Sequence, residues 1–343
     1  MPVSIKDIAQ AANVTPGTVS RALRDSTRVN PETKQRIQQI ADQMGYSPDA
    51  QARSLVEGRT RTIGVVVTTM TDPFIGGIVQ AIETSAHDHG YSLILASSAD
   101  SSEREIAAAE TLQSKRVDGV IVASSRVGVL HQGRLERLGV PVVLINSLVQ
   151  HRGRYTFSIG VGNRHGGFVA TEHLLQLGHR RIAYVTAPDD RSDSMERLAG
   201  YHEALAGAGV DSDPALLVRG TGRAGGGERA LPALQALPDP PTAVFCYNDM
   251  TAIGLIHAAH AAGLSLPRDL AVVGFDDIVF APYVYPPLTT VAQPVVELGK
   301  GAMEMVLALL SDGSFDPGAG TDRTLPGKLV VRASSGAKRF PVN

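Results

Sequence analysis

The residues best suited to chemistry form two groups, one near the N-terminus and one distributed over the rest of the chain. The distributed group follows the carboxyl ends of predicted strands and combines carboxylates, amides, arginines and an aromatic ring: Asp72, Asn146, Arg191, Asp193, Arg197, Tyr247, Asn248 and Asp276. Sugar hydroxyls both donate and accept hydrogen bonds, so a site for them needs such a mixture of side chains. The pattern predicts a site for a hydroxylated small molecule that rejects analogues lacking a hydroxyl.

Some of the residues at strand ends have a plainer interpretation as helix caps or loop residues. Asp249, which directly follows Asn248, is expected to cap the helix that begins beside it. The full set at strand ends also includes Phe74, Asp189, Asp190, Ser192, Asp249 and Asp277. We expect about half of this full set to contact the small molecule.

The N-terminal group lies on one predicted helix that begins after Thr15. Thr15 is a suitable cap, Pro16 suits the first turn, and Val19 and Leu23 would face inward. Arg21 faces outward and can donate two hydrogen bonds to a guanine edge, worth about 1–3 kcal/mol of base discrimination. Hydroxyl side chains on the same face suit phosphate oxygens. The candidate DNA contacts of this region are Ser4, Thr15, Pro16, Gly17, Thr18, Ser20, Arg21 and Arg28.

Three short helices near the N-terminus would position these side chains. Ser4 and Asp7 have the spacing of a capping box, Asn13 suits a left-handed turn, and a third helix runs from about Asn30 to Gly45. Two helices around a four-residue turn form a helix-turn-helix pattern, whose second helix enters the DNA major groove. A small helical bundle with a solvated basic face is the alternative.

Charge separates this N-terminal head from the rest of the chain. The whole chain has a net charge of −2, yet residues 1–61 hold nine basic and six acidic residues, and the remainder holds 23 basic and 28 acidic ones. A basic head on an acidic body indicates that only the head meets a polyanion.

From Thr62 onward, apolar runs rich in Val and Ile alternate with helical patterns. The predicted strands are 63–67, 93–96, 120–123, 142–145, 182–186, 216–218, 243–246, 271–275 and 329–331. Such alternation predicts parallel sheets that helices cover on both faces. We expect two doubly wound lobes, about 62–161 plus 293–322 and about 162–292 plus 323–343, with ligands bound at the carboxyl ends of the strands.

Other chemistries find little support in the sequence. Cys246 is the one cysteine, which excludes an intrachain disulfide and a thiolate metal cluster. Residues 160–166 lack the third glycine of a dinucleotide fingerprint, and no Walker A string is present. The adjacent carboxylates of Asp276 and Asp277 would point apart, which disfavours a glycosidase pair. We expect no cofactor, no bound metal and no enzymatic activity.

The head carries a resemblance to a known family. Residues 4–9 (Ser-Ile-Lys-Asp-Ile-Ala), 14–15 (Val-Thr), 18–23 (Thr-Val-Ser-Arg-Ala-Leu) and 45–48 (Gly-Tyr-Ser-Pro) resemble the LacI/GalR-type bacterial ligand-responsive transcription regulators. The resemblance continues through residues 52–55 (Ala-Arg-Ser-Leu) to the C-terminus. It implies an α/β protein with a three-helix DNA-binding head, a hinge helix and a two-lobed, periplasmic-binding-protein-like effector domain. We expect these parts at 1–46, 47–61 and 62–343.

The resemblance also implies roles for individual residues. In the family, paired hinge helices enter the minor groove and a leucine wedges a base step, which points to Leu55 with Ala52 and Arg53 beside it. The implied effector contacts are Arg197, Asn248 and Asp276, with Phe74 and Asn146 at usual pocket positions. Some members place an aromatic residue after the strand near Arg219 to cover the ligand, but residues 220–223 read Gly-Thr-Gly-Arg here.

These observations predict a homodimeric transcriptional regulator, with repression favoured, that binds a near-palindromic operator under the control of a sugar or related metabolite. A solute-binding protein shares the two-lobed body, but the head counts against it. A sugar-processing enzyme is disfavoured by the missing catalytic constellation. No apolar run reaches the roughly 18 residues of a membrane span, and the N-terminus lacks the apolar stretch of a signal peptide. We expect a bacterial cytoplasmic protein associated with the nucleoid and not with a membrane. The effector's identity and the sign of regulation stay open.

Overall fold

The computed structural model describes residues 3–46, 58–123, 129–147, 156–188, 191–312 and 322–336. The chain divides into two compact units, Met1–Thr60 and Arg61–Asn343. The predicted hinge helix, including Ala52, Arg53 and Leu55, lies outside the described residues. Of the helices in the described segments, none combines the length and the apolar character that a bilayer crossing requires.

The first unit contains the three predicted helices, α1 (Ile5–Ala11), α2 (Pro16–Leu23) and α3 (Pro31–Gln43). The expected caps set the first two starts: Ser4 and Asp7 form a capping box, and Thr15 caps α2. Asn30 caps α3. Asn13 has the left-handed backbone that ends the turn after α1, at φ 51°. A small apolar core of buried side chains joins the helices: Ile8, Ala9, Ala12, Val19, Ala22, Val29, Ile37 and Ala41.

The first lobe of the body is built on a parallel sheet. In spatial order its strands are β11 (Asp322–Leu325), β5 (Thr156–Val161), β4 (Val142–Ile145), β3 (Gly119–Ala123), β1 (Thr62–Val67) and β2 (Ser92–Ser97). One face packs on α4 (Pro73–Asp88) and α11 (Val295–Asp312), and the other packs on α5 (Ser102–Ser114) and α6 (Val129–Glu136). Apolar side chains of the central strands are fully buried because both faces are covered.

The second lobe repeats this plan. In spatial order its strands are β12 (Lys328–Val330), β10 (Thr289–Ala292), β9 (Ala271–Asp276), β8 (Ala243–Cys246), β6 (Ile182–Val185) and β7 (Leu217–Val218), and β12 alone of these pairs antiparallel to its neighbour. The covering helices are α7 (Asn163–Gln176), α8 (Ser192–Gly207), α9 (Ala224–Gln235) and α10 (Asp249–Ala261). Short 3₁₀ turns lie at Pro214–Leu216 and Ala333–Ser335. The predicted two-lobed α/β fold is thereby confirmed.

Within the described segments, the chain passes between the lobes three times. It leaves the first lobe after β5, returns after β10 to form α11, and leaves again after β11. The expected last crossing at residue 323 lies too early, because residues 322–325 pair with β5 in the first sheet. Three adjacent segments therefore connect the lobes beside the carboxyl ends of the strands.

Some elements were not predicted from the sequence, namely β5, β10, β11 and α11. β10 has only four residues, which is too few for a period to show, yet three of them are fully buried between β9 and β12. α11 contains Gly299 and Gly301, which weaken a helical pattern. A Cβ at Gly299 would lie 2.6 Å from that of Ala81 on α4, so the glycine permits close packing of the two helices.

Two glycines bring α7 and α8 into close contact. A Cβ at Gly200 on α8 would overlap the backbone oxygen of Arg164 on α7, and a Cβ at Gly167 on α7 would overlap that of Arg197 on α8. Backbone approaches of this kind leave no room for a methyl group. The contact therefore fixes the position of α8.

Gly200→Ala should reduce the free energy of unfolding by about 2–3 kcal/mol, because the helices must separate to admit the methyl group. Gly207→Ala in the same helix is the control: its added Cβ meets nothing within 4 Å, and alanine should be neutral or stabilise by up to about 1 kcal/mol. Urea denaturation of both variants measures the difference. Equal stability of the two would contradict the assigned helix contact.

Candidate functional site

A cavity of about 340 Å³ lies between the two lobes of the body. All nine residues predicted for effector binding line it: Asp72, Phe74, Asn146, Arg191, Asp193, Arg197, Tyr247, Asn248 and Asp276. They come from the ends of β1, β4, β6, β8 and β9 or from the helices that follow these strands. The carboxyl ends of the parallel strands of both sheets face this cavity, which explains why residues distant in sequence meet there.

An alternating network of charges forms one wall. Arg191 binds Asp193 through two hydrogen bonds, Nε to Oδ1 at 3.1 Å and Nη2 to Oδ2 at 3.0 Å, and the hydroxyl of Tyr247 donates to Asp193 Oδ2 at 2.6 Å. Burial by itself would raise the pKa of Asp193, but Arg191 and Arg197 outweigh it and hold this pKa below its ordinary value. Asp193 therefore stays ionised and fixes both the arginine and the tyrosine.

Arg197 is 1% exposed and supports the floor of the cavity. Its Nε donates to Asn163 Oδ1 at 2.9 Å, and its Nη1 donates to the backbone oxygen of Tyr247 at 2.6 Å. The guanidinium carbon lies 3.6 Å from the ring centre of Phe275 and 4.6 Å from that of Tyr247. Hydrogen bonds and cation–π contacts together compensate for removing this charge from water.

A chain of amide and carboxyl groups crosses from one lobe to the other. Asn146 Nδ2 donates to Gln293 Oε1 at 2.9 Å, and Gln293 Nε2 donates to Asp276 Oδ1 at 2.7 Å. Asn146 Oδ1 accepts from the backbone N–H of Val161, at the first crossing between lobes. These bonds therefore involve two of the connections between the lobes, at Val161 and at Gln293.

Two carboxyl groups of the cavity are harder to ionise than exposed aspartates. Burial raises the pKa of Asp276 well above its ordinary value, and the nearby carboxyls of Asp249 and Asp72 add to this, although Arg197 at 3.9 Å opposes them. Burial also raises the pKa of Asp72, whose carboxylate caps α4 by accepting from the N–H of Phe74 at 2.9 Å. A carboxyl that takes up a proton can donate as well as accept, as ligand hydroxyls require.

The expectation that Asp249 caps α10 is wrong, because the cap is Asn248. Asn248 Oδ1 accepts from the N–H and the hydroxyl of Thr251, while its Nδ2 donates to the backbone oxygen of Gly222. Asp249 is fully buried and accepts from Thr290 Oγ1 at 2.5 Å and from the N–H of Ile278 at 2.9 Å. Burial raises its pKa to about 7. Extended backbone at Asn248 allows the capping geometry.

Sequence reasoning missed further residues that line the cavity, among them Thr68, Thr69, Thr71, Asp100, Thr221, Arg223, Met250 and Gln293. Thr68 and Asp100 follow β1 and β2, so the rule that located Asp72 would have found them. Gln293 follows β10, a strand that the sequence did not reveal. Across the described residues, no group of His, Cys, Asp and Glu side chains is arranged to hold a metal ion.

The head places most of its predicted DNA contacts on or beside α2. Thr15 Oγ1 accepts from the N–H of Thr18 at 3.2 Å and lies 2.9 Å from the Thr18 hydroxyl. Arg21 is exposed, as are Ser4, Pro16, Gly17 and Arg28, whereas Thr18 and Ser20 are half-buried. The hydroxyl of Ser4 donates to Asp7 in the capping box. Val19 is buried and Leu23 half-buried, so α2 presents one polar face outward as predicted.

Comparison with known proteins agrees with both units. Residues 4–49 match the family model "Bacterial regulatory proteins, lacI family", and residues 171–335 match "Periplasmic binding protein-like domain". Over 334 residues the chain is 33% identical to the HTH-type transcriptional repressor CytR of Escherichia coli K12, covering 97% of this chain and 96% of that protein. The chain belongs to the LacI family of bacterial transcriptional regulators. The family resemblance carried by the head residues is confirmed.

Solved structures of LacI-family regulators superpose on nearly the whole chain. The Lac repressor dimer bound to operator and the anti-inducer ONPF has a TM-score of 0.87 and 27% identity, with 98% of this chain and 99% of that chain covered. The complex of the transcriptional regulator CelR with cellobiose has a TM-score of 0.73 and 30% identity, with 97% and 99% covered. Because these relatives are transcriptional regulators, the interpretation of the chain as a regulator and not an enzyme is also confirmed.

Asp249→Asn should destabilise the protein more at pH 5.5 than at pH 8, by about 2 kcal/mol. The folded wild type keeps a proton on Asp249 up to about pH 7, whereas the unfolded chain releases it near pH 4. The free energy of unfolding of the wild type therefore falls as the pH rises from about 4 to about 7, whereas that of the variant does not change for this reason. Urea denaturation at both pH values measures the difference, with exposed Asp88→Asn as the control. A pH-independent effect of Asp249→Asn would contradict the assignment.

Proposed function

We propose that this LacI-family regulator binds an operator as a homodimer and that a sugar or related hydroxylated metabolite in the cavity controls the affinity. The observation that carries the proposal is the convergence of nine polar and aromatic side chains on one cavity, in a chain that also has a helix-turn-helix head. The cellobiose bound to CelR supports a sugar as the effector class. We infer a cytoplasmic location because the proposed partner is chromosomal DNA.

The head would read DNA through α2. Its exposed face carries Arg21, whose guanidinium can donate to guanine O6 and N7, while Thr15 and the backbone N–H groups at the start of α2 suit a phosphate. Gly17 has no side chain to contact a base, so Arg21 would carry much of the specificity. Arg28 is exposed and would add phosphate contacts, which makes the affinity fall with salt.

The effector would act by changing how the two lobes are held together. A ligand that contacts Asp276, Gln293 and Asn146 touches hydrogen bonds that connect the lobes. It can shift the equilibrium between two lobe arrangements only by its difference in affinity for them, typically 1–3 kcal/mol. The first lobe begins at Thr62, directly after the segment that leads to the head, so a change in lobe angle would move the heads of a dimer.

Dimerisation is supported by exposed apolar side chains in the second lobe. Val279, Phe280, Tyr283 and Tyr285 lie within one short segment after β9 and are 51–82% exposed. Large apolar side chains in such number within a short surface segment are typical of protein interfaces. A two-fold dimer places two heads on two half-sites, which implies a near-palindromic operator.

Tyr283→Asp should weaken the dimer without unfolding the body, because the side chain is 82% exposed and a buried carboxylate opposes association. Light scattering after size exclusion would then show a monomer at concentrations where wild type is a dimer. Val296→Asp, at a 65% exposed position on α11, is the control and should leave the dimer intact. An unchanged dimer in the Tyr283 variant would place the interface elsewhere.

Arg21→Ala should weaken specific operator binding by about ten- to a hundredfold and leave effector binding unchanged, because the two sites lie in different units. Asp276→Asn should weaken effector binding and leave operator binding in the absence of effector unchanged. A thermal-shift screen of sugars and nucleosides identifies an effector, and gel shifts on DNA upstream of the gene, with and without it, measure the response. Loss of both properties in either variant would contradict the separation of roles. Operator binding that no screened compound alters would count against effector control.

A further inference from the structure

The charges that face the cavity are strongly paired. Among the described residues that line it, four are aspartates (Asp72, Asp100, Asp193 and Asp276) and three are arginines (Arg191, Arg197 and Arg223). Each arginine lies near an acid: Arg191 binds Asp193, Arg197 lies 3.9 Å from Asp276, and Arg223 donates to Asp100 at 2.8 Å.

Asp100 forms ion pairs with two arginines of the opposite lobe. It follows β2 in the first lobe, whereas Arg191 and Arg223 precede α8 and α9 in the second. Its Oδ2 accepts from Arg223 Nη2, and its Oδ1 lies 3.9 Å from Arg191 Nη1. One carboxylate therefore faces two guanidinium groups across the cavity.

The conformation of residues 220–223, the segment without an aromatic residue, explains how Arg223 reaches the carboxylate of Asp100. Gly222 has a left-handed backbone, with φ of 69°, and a Cβ added there would lie 3.4 Å from the ring of Tyr247. Residues 220–222 therefore pack against the wall of the second lobe. The next side chain, that of Arg223, extends to Asp100 of the first lobe and lines the cavity.

We propose that Asp100 sets the charge specificity of the cavity by pairing with Arg191 and Arg223, so that the site accepts uncharged hydroxylated ligands and rejects their phosphorylated counterparts. This inference rests on the proposed function of the cavity as the effector site. It assigns to Asp100 the role of a specificity-determining residue.

The physical reason is competition for the same two guanidinium groups. A phosphate group would have to displace the Asp100 carboxylate or lie beside it, and like charges at such distances repel strongly in a partly buried site. A neutral ligand avoids this cost. It can bond to hydroxyls and amides such as Thr69, Thr71, Asn146 and Gln293 and place apolar carbon against Phe74 or Met250.

The test measures binding of inorganic phosphate to the full-length chain by calorimetry and compares wild type with Asp100→Asn. Asparagine keeps the shape of the side chain and tolerates the left-handed backbone of Asp100, with φ of 61°, so the variant should fold. Asp88→Asn is the matched control, since it removes one negative charge from the same lobe at an exposed position that does not line the cavity. It also corrects for phosphate bound by the basic head.

Asp100→Asn should bind phosphate at least about tenfold more tightly than wild type, and Asp88→Asn should match wild type. Adding Arg223→Gln to Asp100→Asn should reverse much of the gain in phosphate affinity, because one guanidinium that would bind the phosphate is then absent. Equal phosphate binding by wild type and Asp100→Asn would overturn the proposal. So would a gain that is the same in Asp88→Asn or that persists in full when Arg223→Gln is added.

Paired sugars extend the test and separate this inference from the proposed function. Glucose with glucose 6-phosphate and ribose with ribose 5-phosphate are compared in binding and in operator gel shifts. A phosphorylated sugar that binds wild type more tightly than its neutral partner and alters operator binding would overturn the charge rule while supporting effector control. A different result would be phosphate binding that depends on Asp100 while no sugar or nucleoside alters operator binding. This result would support the role of Asp100 in charge specificity and count against effector control.

Discussion

The buried guanidinium of Arg197 is the interaction on which the candidate site depends. It lies over the rings of Phe275 and Tyr247 and donates to Asn163 and to the backbone of Tyr247. These partners of Arg197 come from three segments: the start of α7, the residue after β8, and β9. A buried charge demands several partners at once, so meeting that demand fixes the relative positions of these segments. The close contact of α7 with α8 places the guanidinium where it can do so.

The polar groups around Arg197 connect this rigid floor to the lobe connections. Asp276 lies near the guanidinium and bonds through Gln293 to Asn146 of the first lobe. Asp100, which also lines the cavity, links the first lobe to Arg223 of the second. Under the proposed function, a small molecule in the cavity would contact groups of both lobes. Its contacts would favour one lobe arrangement, and this would couple the cavity to a head that belongs to a separate unit.

Sequence reasoning located most of this site because it used a rule of topology. Parallel strands present their carboxyl ends at one edge of a sheet, so Asp72, Asn146, Arg191, Tyr247 and Asp276 could be grouped without knowing their contacts. Gln293 was missed because the four residues of β10 show no period. The cap of α10 was assigned to Asp249 instead of Asn248, since both residue types cap helices and only the backbone shows which one does.

By itself, the sequence determined the three helices of the head, the alternation of strands and helices, and the family. Caps, apolar periods and motifs depend on residues close together in the chain, and the sequence displays these directly. Only the tertiary structure showed that Asp249 is buried and does not cap α10. It also showed that Arg197 supports several parts of the site and that Asp100 pairs with arginines of the other lobe. Each of these depends on side chains from distant elements and on their removal from water, and no local pattern encodes that.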